Sequence, residues 1–147
     1  MTLRKAKKKD FESYLKLRTA ATREYSKLIG KKLHIEPRNN VKRDFYKSLS
    51  SGKFVLLIFE DKGAIVAYLN GSFNGEKGII DYLYVDKKYR GRGVAKSLIN
   101  KFLSMLKSKK IKLCKLKVNV KNRLAIGLYK NLGFKVSSYE MNKKVGR

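Results

Sequence analysis

The residues with the most specific chemistry are Tyr89-Arg90-Gly91-Arg92-Gly93-Val94-Ala95, a glycine-rich cationic run. Glycines at 91 and 93 let the main chain turn sharply and come close to a ligand. Where a helix opens just after such a turn, its first N–H groups lack intrahelical partners and carry the positive end of the helix dipole. A pyrophosphate satisfies both the donors and the dipole. The flanks supply the elements this chemistry needs. Ile79, Asp81, Leu83 and Val85 alternate with Ile80, Tyr82 and Tyr84, the two-residue period of a strand. Val94, Leu98, Phe102 and Leu106 recur at helical spacing, and Ile99, Leu103 and Met105 widen the apolar stripe. The order is strand, phosphate turn, helix.

Two common nucleotide motifs do not fit this turn. A P-loop needs Lys followed by Ser or Thr directly after its last glycine, whereas Gly93 is followed by Val94-Ala95 and only then Lys96-Ser97. A Rossmann turn needs a third small residue and an acid about twenty residues on. Lys96 stands at the third position, and 111–121 contains no acid. Arg90-Gly91-Arg92-Gly93-Val94-Ala95 instead resembles the Q/R-x-x-G-x-G/A signature of the GCN5-related N-acetyltransferase (GNAT) superfamily. A second segment, Asn119 to Phe134, resembles that family's strand-Asn-helix-Tyr-loop-Gly-Phe stretch, with Asn122 and Tyr129 at the usual spacing.

The resemblance covers nearly the whole chain. It implies an α/β (α+β) fold with a mixed, mostly antiparallel sheet of six to seven strands and about four helices, splayed between the fourth and fifth strands. Acetyl-CoA would be the cosubstrate, lying in that wedge while an amine attacks its thioester directly. The backbone of Leu83, Tyr84 and Val85 would hold the pantetheine and the acetyl carbonyl. Arg90, Gly91, Arg92, Gly93, Val94 and Ala95 would hold the pyrophosphate, and Asn122 would add a further cofactor contact. Tyr129 stands where many members place the phenol that protonates the departing thiolate; the plainer reading is a core tyrosine with a wet hydroxyl. Positions where members carry a basic glutamate hold Ile79 and Lys117 here. Asp81, on the alternating pattern, shares a strand face with Leu83 and Val85 and becomes the candidate base, unless one of many lysines neutralises it. Glu24, His34, Glu36 and Glu140 are weaker candidates.

Charge narrows the partners. The chain has 37 Lys and Arg against 11 Asp and Glu, a formal net charge of +26. No acid occurs from Lys87 through Tyr139, the stretch that contains both motifs. Its positive potential would steer an anionic ligand such as coenzyme A. The same charge, with Tyr82, Tyr84 and Tyr89 as stacking groups, defines a competing class: a basic module that contacts RNA, DNA or the ribosome. For an acetyltransferase, an α-amine suits the weak base supply. With a pKa near 8 it is about one-tenth neutral at pH 7, against a few parts in ten thousand for lysine. A protein N-terminus is one such acceptor, and polyamines or aminoglycosides are disfavoured in so cationic a chain.

The remaining composition sets bounds. One domain over 1–147 suits the length of 147 residues and leaves the oligomeric state open. No apolar run approaches the roughly 20 residues of a membrane span, and no signal-like core follows Met1, so a soluble cytoplasmic protein is expected. Cys114 and His34 are each the single residue of their type, which excludes a cysteine- or histidine-rich metal site, and Cys114 reads as a core residue. The pattern predicts a strand over 2–6, a helix from Phe11 to Gly30 capped by Asp10, and a helix from Pro37 to Ser50. Strands follow over 54–60, 65–73 and 78–85, then a helix over 91–108, a strand over 111–120, a helix over 123–131 and a last strand over 134–141. The tail from Asn142 is expected to fray.

Overall fold

A computed structural model describes residues 1–147. Five strands form one sheet in chain order: β1 (Thr2–Lys5), β2 (Phe54–Asp61), β3 (Ala64–Phe73), β4 (Lys77–Val85) and β5 (Leu113–Leu116). The first four are antiparallel neighbours, and β5 joins β4 in parallel. Four helices cover the sheet: α1 (Phe11–Ile29), α2 (Arg38–Ser50), α3 (Val94–Ser108) and α4 (Arg123–Asn131). No helix is long and apolar enough to cross a membrane.

The β2–β3 hairpin follows from turn chemistry. Lys62 and Gly63 both take positive φ, 50° and 79°, which matches the twist of the two strands they join. Strand β2 is buried on both sides, and its alternation divides the core. Val55 and Leu57 meet Leu98, Ile99 and Phe102 of α3. Leu56 and Ile58 meet Phe11, Tyr14 and Leu17 of α1 and Val41 and Phe45 of α2. Helix α3 lies so close to the sheet that a Cβ on Gly71 would stand 2.3 Å from the Phe102 ring.

Several expectations need correction. The last strand over 134–141 does not form, so the sheet has five strands rather than six or seven. That segment pairs with no other strand, and Val136, Tyr139 and Met141 are exposed. Strand β5 covers four residues of the expected ten because β4 offers it a partner only from Lys77 to Ile80. Asp10 does not cap α1 with its side chain. It is buried, and its carboxylate accepts a two-pronged bond from Arg4 at 2.7 and 2.9 Å and one from the Lys7 N–H at 2.6 Å.

Candidate active site

The end of β4 and the start of α3 build the site together. Beyond Ile80, β4 has no partner on its β5 side, so the main chain from Asp81 to Val85 presents an open edge. The strands part there because β4 carries an extra residue. Gly71 pairs with Ile80 and Asn70 with Tyr82, which leaves Asp81 unpaired in a bulge.

The chain then passes through Lys87–Tyr89, a single 3-10 turn, and reaches the glycine run. Gly91 and Gly93 adopt φ of +76° and +77°, where a side chain would strain the backbone. Val94, 3% exposed, anchors the helix start in the α3 core. The N–H groups of Gly91, Arg92, Gly93, Val94, Ala95 and Lys96 donate to no acceptor in the protein; the first amide to do so is Ser97, to the Gly93 carbonyl at 2.9 Å. A succession of free amides at left-handed turns and a helix N-terminus is the arrangement of an anion nest.

Arg90 has a different job from its neighbours. Its Nε donates to the Val85 carbonyl at 2.9 Å, and its two terminal nitrogens grip Glu24 at 2.8 and 2.9 Å. Glu24 also accepts from the Tyr84 hydroxyl at 2.6 Å, and the Arg90 guanidinium stacks 5.4 Å over the Tyr84 ring. The Arg90 fork holds the Glu24 carboxyl below its usual range against the opposing effect of burial. Burial and Glu24 together push the Tyr84 phenol up to about 12. The side chain of Arg90 therefore braces the nest against α1, and what it offers a ligand is main chain. Arg92 lies 5.3 Å over the Tyr89 ring, whose hydroxyl donates to Asp61 at 2.8 Å.

The bulge changes where Asp81 points. Leu83 and Val85 belong to the α3 core, but Asp81 lies beside the Ser72 hydroxyl, and the strand neighbours of Ser72, Gly71 and Phe73, both turn toward Phe102. Asp81 thus lies on the opposite face, with α1, and the expectation that it shares a face with Leu83 and Val85 is wrong. No cation pairs with it. Desolvation raises its pKa, and only the nearby Ser72 hydroxyl opposes this. Close by, the Tyr14 hydroxyl donates to Asn70 Oδ1 at 3.2 Å, and Arg18 lies 5.6 Å over the Tyr82 ring.

Helix α4 brings Tyr129 to the sheet's far edge. The ring is half-buried against the α3 core and meets Phe134 edge-on at 5.8 Å. Burial raises its pKa, so the phenol keeps its proton at neutral pH. Its hydroxyl has no protein partner and is open to solvent. Asn122 caps α4, its side-chain oxygen accepting from the Ala125 N–H at 3.2 Å. Of the other acids, Glu36 accepts from Asn40 and Glu140 lies on the exposed segment after α4; His34 is exposed in the loop before α2. Cys114 is half-buried, with its thiol pushed up to about 11 by burial.

Residues 11–134 match the acetyltransferase (GNAT) family. The chain belongs to this family. Its fold recurs in a tetramutant of the BH1408 protein from Bacillus halodurans, with a TM-score of 0.84 and 19% identity over 99% of this chain and 100% of that one. The PaiA N-acetyltransferase from Thermoplasma acidophilum, in complex with coenzyme A, aligns with a TM-score of 0.82 and 19% identity over 95% and 92% of the two chains. AAC(6')-Iy, in complex with the bisubstrate analogue CoA-S-monomethyl-acetylneamine, aligns with a TM-score of 0.78 and 17% identity over 99% and 98%. These three structures share the layout of sheet and helices with the present chain.

Sequence reasoning placed the glycine turn before α3 and put Asn122 and Tyr129 at the start and on the body of α4, because those signals are local. It missed Glu24 as the brace of the nest, and it missed Tyr14, Arg18, Asn70 and Ser72 around Asp81. The Glu24–Arg90 pair spans 66 positions, and no short motif announces it.

Proposed function

We propose that this GNAT protein is an N-acetyltransferase that moves an acetyl group from acetyl-CoA to an amine by direct attack. The observation that carries the reading is the row of six free amides from Gly91 to Lys96, beside the open edge of β4. These amides hold the diphosphate, and Leu83, Tyr84 and Val85 offer main-chain partners to the pantetheine. Structural relatives crystallised with coenzyme A or a bisubstrate analogue support this reading.

Acetyl-CoA supplies an activated acetyl thioester: the amine nitrogen bonds to its carbonyl carbon as the carbon–sulfur bond breaks. Asp81 takes the ammonium proton, directly or through water, from the α1 side of the sheet. Its raised pKa makes it a better base than an ordinary aspartate. The Tyr129 phenol gives its proton to the leaving thiolate. Asn122 orders the start of the helix that carries Tyr129, and its amide nitrogen remains for the cofactor. The acceptor is an α-amine or another weakly basic amine, a protein N-terminus included, because a single aspartate cannot neutralise a polycation. Of the three tyrosines that could stack nucleobases, Tyr84 and Tyr89 are engaged by Glu24 and Asp61, which favours the enzyme over the nucleic-acid module.

The test pairs binding with turnover. Acetyl-CoA at about 100 times its dissociation constant should stabilise the fold by about 2.7 kcal/mol, with ATP and pyrophosphate as polyanion controls. Thiol release with a panel of amines should follow. A rise in Tm with RNA but none with acetyl-CoA would replace the enzymatic reading with the binding module.

A further inference from the structure

Arg18 is an unusual cation. The chain's ion pairs join Arg4, Arg38, Arg43 and Arg90 to acids, and Arg18 takes part in none. It is half-buried on α1, and the groups that surround it are Tyr14, Tyr68 and Tyr82. Its one hydrogen bond in the protein is a long donation to the Tyr14 hydroxyl at 3.4 Å. No fully buried side-chain nitrogen lacks a partner, so its remaining donors open to solvent. A guanidinium held by ring stacking, with its fork unused, is preorganised for a planar or tetrahedral oxyanion.

Its place gives that oxyanion a role. Arg18 stacks on Tyr82, which follows Asp81 in β4 and pairs with Asn70 across the sheet. Tyr14, the residue Arg18 touches, donates to that same Asn70. Arg18 therefore overlies the stretch of β4 where the strand edge opens, on the face to which the bulge turns Asp81. The carboxylate that would take a proton and the guanidinium that lacks a counter-ion lie on the same face of the sheet, the one that α1 covers.

We propose that Arg18 is the specificity anchor of the acceptor site, and that the acceptor is an amine carrying an oxyanion, a carboxylate or a phosphate. The inference rests on the acetyltransfer reading above, with the amine directed to Asp81 and the oxyanion to Arg18. The same cation repels polyamines and aminoglycosides, whose second charge would approach it unscreened in a half-buried setting. A fork that reads an anion by two parallel bonds also separates Arg from Lys at this position.

The test uses acceptors matched in all but the anion: an amino acid against its amide, phosphoethanolamine against ethanolamine, and short peptides beginning with Glu against those beginning with Gln. The first pair reports a backbone carboxylate, the second a phosphate and the third a side-chain carboxylate. In at least one pair, kcat/KM should favour the anionic member by tenfold or more. Arg18→Met, which keeps the stem over Tyr82, should abolish that preference chiefly through KM, and Arg18→Lys should restore only part of it. Both variants should keep the Tm rise with coenzyme A. Binding of the N-acetylated products in the presence of coenzyme A gives a readout that does not depend on turnover, and the anionic product should bind more tightly to the wild type alone. Equal handling of every matched pair, in products as well as acceptors, overturns the assignment, as does a preference that survives Arg18→Met. Loss of the coenzyme A response in the wild type would instead overturn the acetyltransfer reading on which it rests.

Discussion

The two edges of the sheet are built to different standards. At the β1 edge, Arg4 ties the buried Asp10 and the half-buried Glu60 together, and α1 and α2 seal the adjoining face with aromatic rings. At the β5 edge, burial ends with Ile111: no residue of β5, α4 or the segment after it is fully buried. Leu124 is 84% exposed and Val120 is 77% exposed. Both Tyr129 and the open stretch of β4 belong to this thinner side. The firm edge fixes the fold, while the candidate site occupies a margin where β4 has an open edge, and local opening should be easier there.

The contrast can be broken most sharply from its firm side. Phe102→Ala removes the ring against Gly71 at the centre of the α3 core and should cost about 3–5 kcal/mol, read as a lower denaturant midpoint. Asp10→Asn should cost about 3 kcal/mol, since it leaves Arg4 without its closest partner. The bond from Arg4 and the Lys7 N–H outweigh burial and depress the Asp10 pKa. Its contribution is therefore complete above the unfolded value of about 3.9 and is lost as pH falls through the lower folded value. Acid titrations of wild type and variant should converge below both.

On the thin side the effects should move from stability to rate. Tyr129→Phe should lower kcat about a hundredfold with the melting temperature nearly unchanged, if the phenol donates a proton to the thiolate. Unchanged turnover would remove that role. Asp81→Asn should lower turnover about tenfold near neutrality and abolish the acid limb of the pH–rate profile. The folded pKa of Asp81 is raised, so its ionised form is disfavoured in the fold and stability declines as pH rises through that value. The variant should therefore melt slightly higher than the wild type at pH 7, a gain in stability joined to a loss in rate. Smallest of all, Leu124→Ser should change stability by less than about 0.5 kcal/mol. A large loss there would erase the distinction between the edges.

What could be read from the sequence was what lies in consecutive residues. The nest was legible because its turn, its glycines and its helix start form one run, and Asn122 and Tyr129 share a short helix and its cap. Asp81 was misplaced because strict alternation places it with Leu83, whereas the bulge is set by pairing with a different strand. The last strand was overcounted for a similar reason. Residues 134–141 have strand-like composition, but a strand exists only where another edge receives it, and β5 pairs for just four residues. Glu24 was weighed only as a weaker base and not as the partner of Arg90, and Arg18 was overlooked, because α1 meets β4 only in three dimensions.

The bulge at Asp81 also makes β4 a strand with two phases. Before it the even-numbered Ile80 turns toward α3, and after it the odd-numbered Leu83 and Val85 do so. Deleting this one position would merge the two phases into one regular alternation, with Leu83 still opposite Leu69 and Tyr84 still opposite Tyr68. The core on either side of β4 thus needs no residue at this position, and what its loss would remove is the bulge and the carboxylate it carries.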